Sequence, residues 1–425
     1  MRALVVFALI AAACDGEDDT FVEEGGSLEV PDCDYTITTR YGAEAPRMSG
    51  KTVGSDPTPR VVHLGIVGDP KTSIVAQWRT VDEMTTVTEI RYAEGANLSS
   101  DQLTKTVKGI HFRYNSTGTD LYRVHQAHLC ELSPGTSYSY QVGGGDKWSP
   151  VYTFHTAPDI EANPDAEVVF GFVGDSRGGY DVWNQLATQI QMRAPDLILF
   201  SGDAVTIGLT QPEWEEWLAA AESLLATTPV VLTNGNHEAN AINFYSQFAL
   251  PGDQENFGFS YGFARIFVAN DSPDDPSALT TTIPVAMDAD FTDNESAKWK
   301  LLMHHRPMWS SGTRHGSNLM LQEAWGPIVD KHHLDLVLNG HEHQYEISKP
   351  LAGGLVQTSN ATGTVYVVAG GAGAELYGYD APGFWSEYIE STHTAAVLHV
   401  RASQLTMDSF HADGTLVPVG FTKTK

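Results

Sequence analysis

Between residues 168 and 343, short apolar runs stop abruptly five times, and each stop delivers a side chain able to bind a metal. Val168 to Val173 leads to Gly174-Asp175, and Leu197 to Phe200 leads to Ser201-Gly202-Asp203. Pro229 to Leu232 leads to Asn234-Gly235-Asn236-His237-Glu238, and Lys300 to Met303 leads to His304-His305. Leu334 to Leu338 leads to Asn339-Gly340-His341-Glu342-His343. Uninterrupted apolar runs bounded by glycine are strands buried on both faces. Helical stretches around 182–192, 212–225 and 321–331 separate several of them. This alternation predicts an α/β layered, mixed-sheet domain in which ligands collect at the carboxyl ends of the strands.

One such ending by itself is a turn, as expected for Gly68-Asp69 near the start of the chain. Five in one domain supply carboxylate oxygens, an amide oxygen and imidazole nitrogens, a mixture suited to Zn, Fe or Mn. The chain is expected to turn at Gly340, which has no Cβ, and so to deliver His341 and His343 to one cluster.

A chain of 425 residues is expected to hold two domains and a tail. Its 53 acidic against 25 basic residues, net −28, argue against a nucleic-acid partner, since phosphate backbones need basic surface. An anionic substrate would need a local reversal of that field, which bound cations supply.

Residues 1–13 read as a signal peptide: an apolar run from Ala3 to Ala13 too short to span a bilayer, followed by Cys14. The Ala-Ala-Ala-Cys end is similar to a bacterial lipoprotein signal, with Cys14 as the lipidated residue; an ordinary secretory signal is the other reading. The expectation is thus an exported protein, either a cell-envelope lipoprotein or secreted, touching membrane only through that anchor. Residues 14–54 read as an acidic tether, with nine acids and no base from Asp15 to Asp34. Cys33 and Cys130 either form a disulfide or remain free, and sequence leaves both open.

Residues 55–158 read as an all-β sandwich of short strands and turns. Ile74, Ala76 and Trp78 fall on one strand face, and Tyr138, Tyr140 and Val142 on another. Leu132 to Tyr138 resembles the tyrosine corner of fibronectin type III domains, so its tyrosines are assigned structural roles. A Pro-containing linker over 156–166 leads into the second domain, 165–425, whose 256–271 and 397–419 segments read as additional strands. Asp413-Gly414 is the expected hairpin turn in the latter.

The ordered blocks Gly174-Asp175, Gly202-Asp203, Gly235-Asn236-His237-Glu238, His305-Arg306-Pro307 and Gly340-His341-Glu342-His343 resemble the signature of calcineurin-like metallophosphoesterases. With the fibronectin-like domain, and with Pro59 to Leu64 and Trp78, the resemblance narrows to the purple acid phosphatase family. It implies two divalent or trivalent metal ions bridged by Asp203, one completed by Asp175 and His343, the other by Asn236, His305 and His341. His305 is preferred over His304 because it stands two before Pro307. His237 and, more loosely, His315 match catalytic or phosphate-contacting histidines. The implied reaction is hydrolysis of small phosphate monoesters by attack of metal-bound hydroxide. A phosphodiesterase or nucleotide hydrolase on the same fold, and a surface-binding protein with a degraded catalytic domain, are the alternatives.

Two departures stand out. Thr206 occupies the place of the tyrosine that gives the family its colour, and Arg177 occupies that of a histidine ligand used by related phosphoesterases. Arg177 is assigned either to the substrate phosphate, as a fork, or to a salt bridge.

Overall fold

A computed structural model of the chain describes residues 27–30, 32–38, 51–52, 55–82, 85, 87–115 and 120–425. The signal-like run, Cys14 and most of the acidic stretch lie outside these residues. Part of the expected tether is nevertheless structured. Ser27–Val30 and Tyr35–Thr38 pair as an antiparallel hairpin. The disulfide between Cys33 and Cys130, 97 residues apart, fastens this hairpin to the next domain. An acidic composition predicts solvation, but the covalent link and the Tyr35 hydroxyl, 2.7 Å from His128 Nδ1, outweigh it locally.

Among the described residues the N-terminal domain is a sandwich of two five-stranded sheets. Alternation along Ile74–Thr80 sends Ile74, Ala76 and Trp78 into its core, where they meet Tyr138, Tyr140 and Val142 from the opposite sheet. The Tyr138 hydroxyl accepts the Ser133 N–H at 2.9 Å, tying the turn to the strand as its sequence suggested.

The C-terminal domain stacks two mixed sheets face to face with helices outside. In spatial order the first sheet runs Val230–Leu232, Leu197–Phe200, Val168–Val173, Thr394–Val400, Gln404–His411 and Phe421–Thr424. Its first three strands are parallel. The second runs Phe257–Tyr261, Ala264–Val268, Trp299–Met303, Leu336–Asn339, Val365–Ala369, Tyr345–Ser348 and Ser386–Glu390. Its four strands from Ala264–Val268 to Val365–Ala369 are parallel.

Strand periodicity divides the second sheet between two cores. Leu301, Met303, Leu336 and Leu338 face the other sheet. Leu302 and Val337 face Met287, Trp325 and Val329 of the helices Thr282–Asp293 and Leu319–Lys331. On the first sheet, Trp183, Trp214 and Trp217 from Tyr180–Gln191 and Gln211–Leu225 close the outer face. The hairpin turn expected at Asp413-Gly414 is present: the His411 N–H bonds the Thr415 carbonyl, the Val417 N–H bonds the Ser409 carbonyl, and Phe410 pairs antiparallel with Leu416. A second hairpin, of Thr394–Val400 with Gln404–His411, closes where the Arg401 N–H meets the Gln404 carbonyl.

The two domains meet through buried polar contacts. Along Ile74–Thr80 the face turned from the sandwich core carries Gln77 and Arg79. Gln77 Oε1 accepts the Ala249 N–H at 2.7 Å, and Arg79 pairs with Glu215. His63 Nε2 lies 2.6 Å from the Gln247 carbonyl, and the Tyr140 hydroxyl donates to the Ala226 carbonyl at 2.6 Å. Unpaired, any of these groups would carry the cost of a desolvated polar atom.

The sandwich also predicts acid sensitivity. His125, between Thr80 and Thr88, is pushed well below its usual pKa by burial. Burial likewise lowers His128, to about 3. The unfolded chain binds protons on both from about pH 6.5 downward while the folded chain does not. Their stabilisation is therefore full above that pH and is lost as pH falls toward 3, at up to about 1.4 kcal/mol per pH unit for each imidazole. Chemical denaturation between pH 7 and pH 5 should show this loss, and His128→Gln should reduce its slope.

Candidate metal centre

The five strand ends converge where the carboxyl edges of the two sheets meet, and their loops are laced together. The Asp175 N–H bonds the Gly202 carbonyl, the Ser176 N–H the Asp203 carbonyl, and the Gly340 N–H the His305 carbonyl. Three residues there adopt left-handed backbone: Asp175 at φ 62°, Asp203 at 55° and His341 at 69°. Asp and His tolerate this region better than most side chains. The reversal stops each strand and swings its side chain across the sheet edge.

The turn expected at Gly340 is thus made by His341. Glycine is required at 340 for proximity: a Cβ there would lie 2.1 Å from Asp175 Oδ2. Gly235 has the same function toward Asp203, whose Oδ1 would be 2.1 Å from an added Cβ.

Two sets of ligand atoms result, Asp203 with His305 and His341, and Asp175 with Asp203 and His343. Within each, the atoms lie within 4.8 Å of one another, and Asp203 is common to both. His305 Nε2 is 3.3 Å from Asp203 Oδ1, and His341 Nδ1 is 3.1 Å from His305 Nε2. His343 Nε2 is 3.5 Å from Asp175 Oδ1. Backbone carbonyls orient the rings: Ser201 lies 2.8 Å from His305 Nδ1, and Glu375 lies 2.6 Å from His343 Nδ1. Each Nε2 is thereby left facing inward.

The donor set suits cations. Asp175 Oδ1 and Asn236 Oδ1 are buried without a hydrogen-bond partner, which a metal would satisfy. Burial alone would lower His305, yet the Asp203 and Asp175 carboxylates hold its imidazolium up to about 10. Burial, reinforced by His305, pushes His341 down to about 2. The two buried carboxylates thus give the cluster a negative field that favours a cation.

His237 stands at the mouth. Its N–H donates to Asp203 Oδ1 at 3.0 Å, its Nδ1 lies 2.6 Å from the Thr206 carbonyl, and its Nε2 is 3.9 Å from Asp203 Oδ2. Thr206 contributes only backbone here; its own N–H is taken by Glu213 at 2.6 Å. The ring of His315 packs 4.2 Å from that of His341. Arg177 lies with Nε 3.5 Å from Asp203 Oδ2 and Nη2 3.3 Å from His343 Nε2. Its salt-bridge reading is therefore present in the structure. His304 is buried against Trp325 and bonds Asp271 at 3.0 Å, apart from the ligand sets.

Three residues had no role in the sequence reading. Glu238 accepts the N–H groups of Asp203, Ala204 and Gly235 at 2.7, 2.8 and 2.7 Å. Burial and the nearby Asp203 push its carboxyl up to about 7, against those three donors. Glu342 accepts the His315 and Gly316 N–H groups and so holds the His315 loop. Tyr377 stacks on His343, with centroids 3.9 Å apart. An acid wedged between ligands in an already anionic cluster was a readable signal for both glutamates. Tyr377, in a Gly-rich loop, carried none.

Comparison with known proteins matches residues 168–345 to the calcineurin-like phosphoesterase family and residues 59–156 to the purple acid phosphatase N-terminal domain. Purple acid phosphatase 21 of Arabidopsis thaliana is 23% identical over 74% of this chain and 71% of its own. Human acid phosphatase type 7 is 26% identical over 75% and 78%. A probable inactive purple acid phosphatase 1 of Arabidopsis thaliana is 24% identical over 72% of this chain and 60% of its own length. The purple acid phosphatase structure from yellow lupin (Lupinus luteus) seeds superposes with a TM-score of 0.74 at 17% identity, covering 87% of this chain and 74% of that one. PhoD superposes at 0.62 and 13%, covering 89% and 90%.

Gly340→Ala should selectively disturb the Asp175 side of the centre. Metal analysis of the purified variant is expected to show the Asp175–His343 ion lost and the Asp203–His305–His341 ion retained, whereas Asp203→Ala should weaken both.

Proposed function

We propose, on the premise that the chain is a calcineurin-like metallophosphoesterase of the purple acid phosphatase family, that it hydrolyses phosphate monoesters at a two-metal centre. The observation that carries this reading is the Asp203 carboxylate shared by two ligand sets, with His237 beside it. Asp175, Asp203 and His343 would hold one ion, and Asp203, Asn236, His305 and His341 the other. When bound, such a pair polarises a phosphoryl oxygen and lowers the pKa of a water that attacks in line with the leaving oxygen.

The protein groups have separable tasks. His237 Nδ1 faces a carbonyl, so it carries a hydrogen, and Nε2 is the position from which the imidazolium donates a proton to the departing alkoxide. Its N–H bond to Asp203 fixes the distance between that proton and the bridging carboxylate. Arg177 presents a guanidinium to the same cavity; its contacts with Asp203 and Tyr377 hold it where it neutralises incoming phosphate. His315, fixed by Glu342, lines the opposite wall and is positioned to hydrogen-bond the phosphoryl group. In a protein of net charge −28, Arg177 together with bound cations would supply the positive field that an anionic ester needs.

Export belongs to the same proposal. The disulfide between Cys33 and Cys130 supports folding in an oxidising compartment. Among the described residues no helix is long and apolar enough to cross a membrane. Attachment would rest on Cys14.

Steady-state assays with a nitrophenyl phosphate monoester and the corresponding bis-ester are expected to favour the monoester. Preference for the bis-ester identifies a diesterase instead. His237→Ala should lower kcat by about 10²–10⁴-fold with little change in metal content. Absence of hydrolysis by metal-reconstituted wild-type protein would support the surface-binding alternative.

A further inference from the structure

The two ligand sets are unequal. The Asp203–His305–His341 group has the unpartnered Asn236 Oδ1 beside it in the chain block that follows Val230–Leu232. The Asp175–Asp203–His343 group has three donors from Asp and His alone. Thr206, three residues after Asp203, is exposed, with its N–H on Glu213 and its carbonyl on His237.

A different loop reaches this side. Residues 370–378 leave the end of Val365–Ala369 and run along the weaker set. The Ala372 N–H bonds the Gly174 carbonyl, and the Ala374 N–H bonds the Asp175 carbonyl. The Glu375 carbonyl meets His343 Nδ1, and the Tyr377 N–H donates to the His343 carbonyl at 2.9 Å. Ala372, Ala374, Glu375 and Tyr377 thus each bond a residue of that set or its chain neighbour.

The Tyr377 ring lies almost parallel to His343, with 14° between planes. Its hydroxyl accepts from Arg177 Nη2 at 3.0 Å, and the same nitrogen is 3.3 Å from His343 Nε2. The phenol oxygen and the inward nitrogen of His343 thus converge on one atom.

The geometry points to Tyr377 as the fourth protein donor of the Asp175–Asp203–His343 set, contributing its phenol oxygen to the ion held there. The inference rests on the two-metal reading above. Binding exchanges the O–H bond for an oxygen–metal bond, with the proton released to water, and the resulting anionic donor selects for a trivalent ion at this position. Arg177 remains as hydrogen-bond donor to that oxygen and limits its charge.

The test uses the full chain loaded with ferric iron. A phenolate on ferric iron absorbs in the visible, so the expected result is two ions per chain with a visible band. Tyr377→Phe should abolish the band and weaken the Asp175-side ion at least tenfold in a metal titration. Tyr379→Phe, altering a neighbouring exposed tyrosine of the same loop, should leave both unchanged, and circular dichroism of the variants checks folding. A band that persists in Tyr377→Phe, or two bound ferric ions with no band, overturns the assignment and leaves the two-metal reading standing. Fewer than two ions in the wild-type chain overturns both.

Discussion

The Asp203 carboxylate is the interaction on which the rest of the centre depends. It lies between His305 and Arg177, receives the His237 N–H, and is common to both ligand sets. Such a crowded group is held in place by its backbone. Left-handed φ at Asp203 costs on the order of 1–3 kcal/mol, and the surroundings must over-determine it. Glu238 does much of this, because one buried carboxylate binds the N–H groups before and after the Asp203 side chain together with that of Gly235. Position is thus secured by a second acid that never enters the ligand sets.

Charge accounting explains the arrangement around it. Asp175, Asp203, Glu238 and Glu342 are all buried within a few residues of the ligands. Backbone amides occupy both oxygens of Glu238 but only Oε1 of Glu342, whose Oε2 is buried without a hydrogen-bond partner. Asp203 Oδ1 accepts the His237 N–H and Asp175 Oδ2 the His341 N–H, while Asp175 Oδ1 has no hydrogen-bond partner. Amides thus hold these acids in place, and the oxygens they leave open make a small volume attractive to metal.

Much of this was legible in the chain. Parallel strands buried on both faces leave apolar runs, and a run that stops at Gly-Asp or Gly-His marks its own end; Asp175, Asp203, His341 and His343 could be located for that reason, while His305 was separated from His304 by its place two before Pro307. What sequence did not carry were contacts between distant segments. His341, rather than Gly340, takes the left-handed backbone, and residue 340 must be glycine because Asp175 fills the space a Cβ would need. Tyr377 approaches His343 through a loop with no periodicity. The Ser27–Val30 hairpin escaped the acidic composition around it through the Cys33–Cys130 link, a pairing that spacing alone left open. Thr206 was read through its side chain, whereas its carbonyl is what orients His237.

The buried contacts between the domains have a consequence for inheritance. Ile242–Gln247 follows directly on the block bearing Asn236 and His237, and it is this helix and its exit, at Gln247 and Ala249, that His63 and Gln77 of the sandwich grip. The sandwich thus works as a splint on the segment that follows Asn236 and His237. Shuffling the C-terminal half onto another partner would strand these polar groups and slacken that segment at once. The geometry of the centre therefore also depends on a β-domain that contributes no residue to either ligand set.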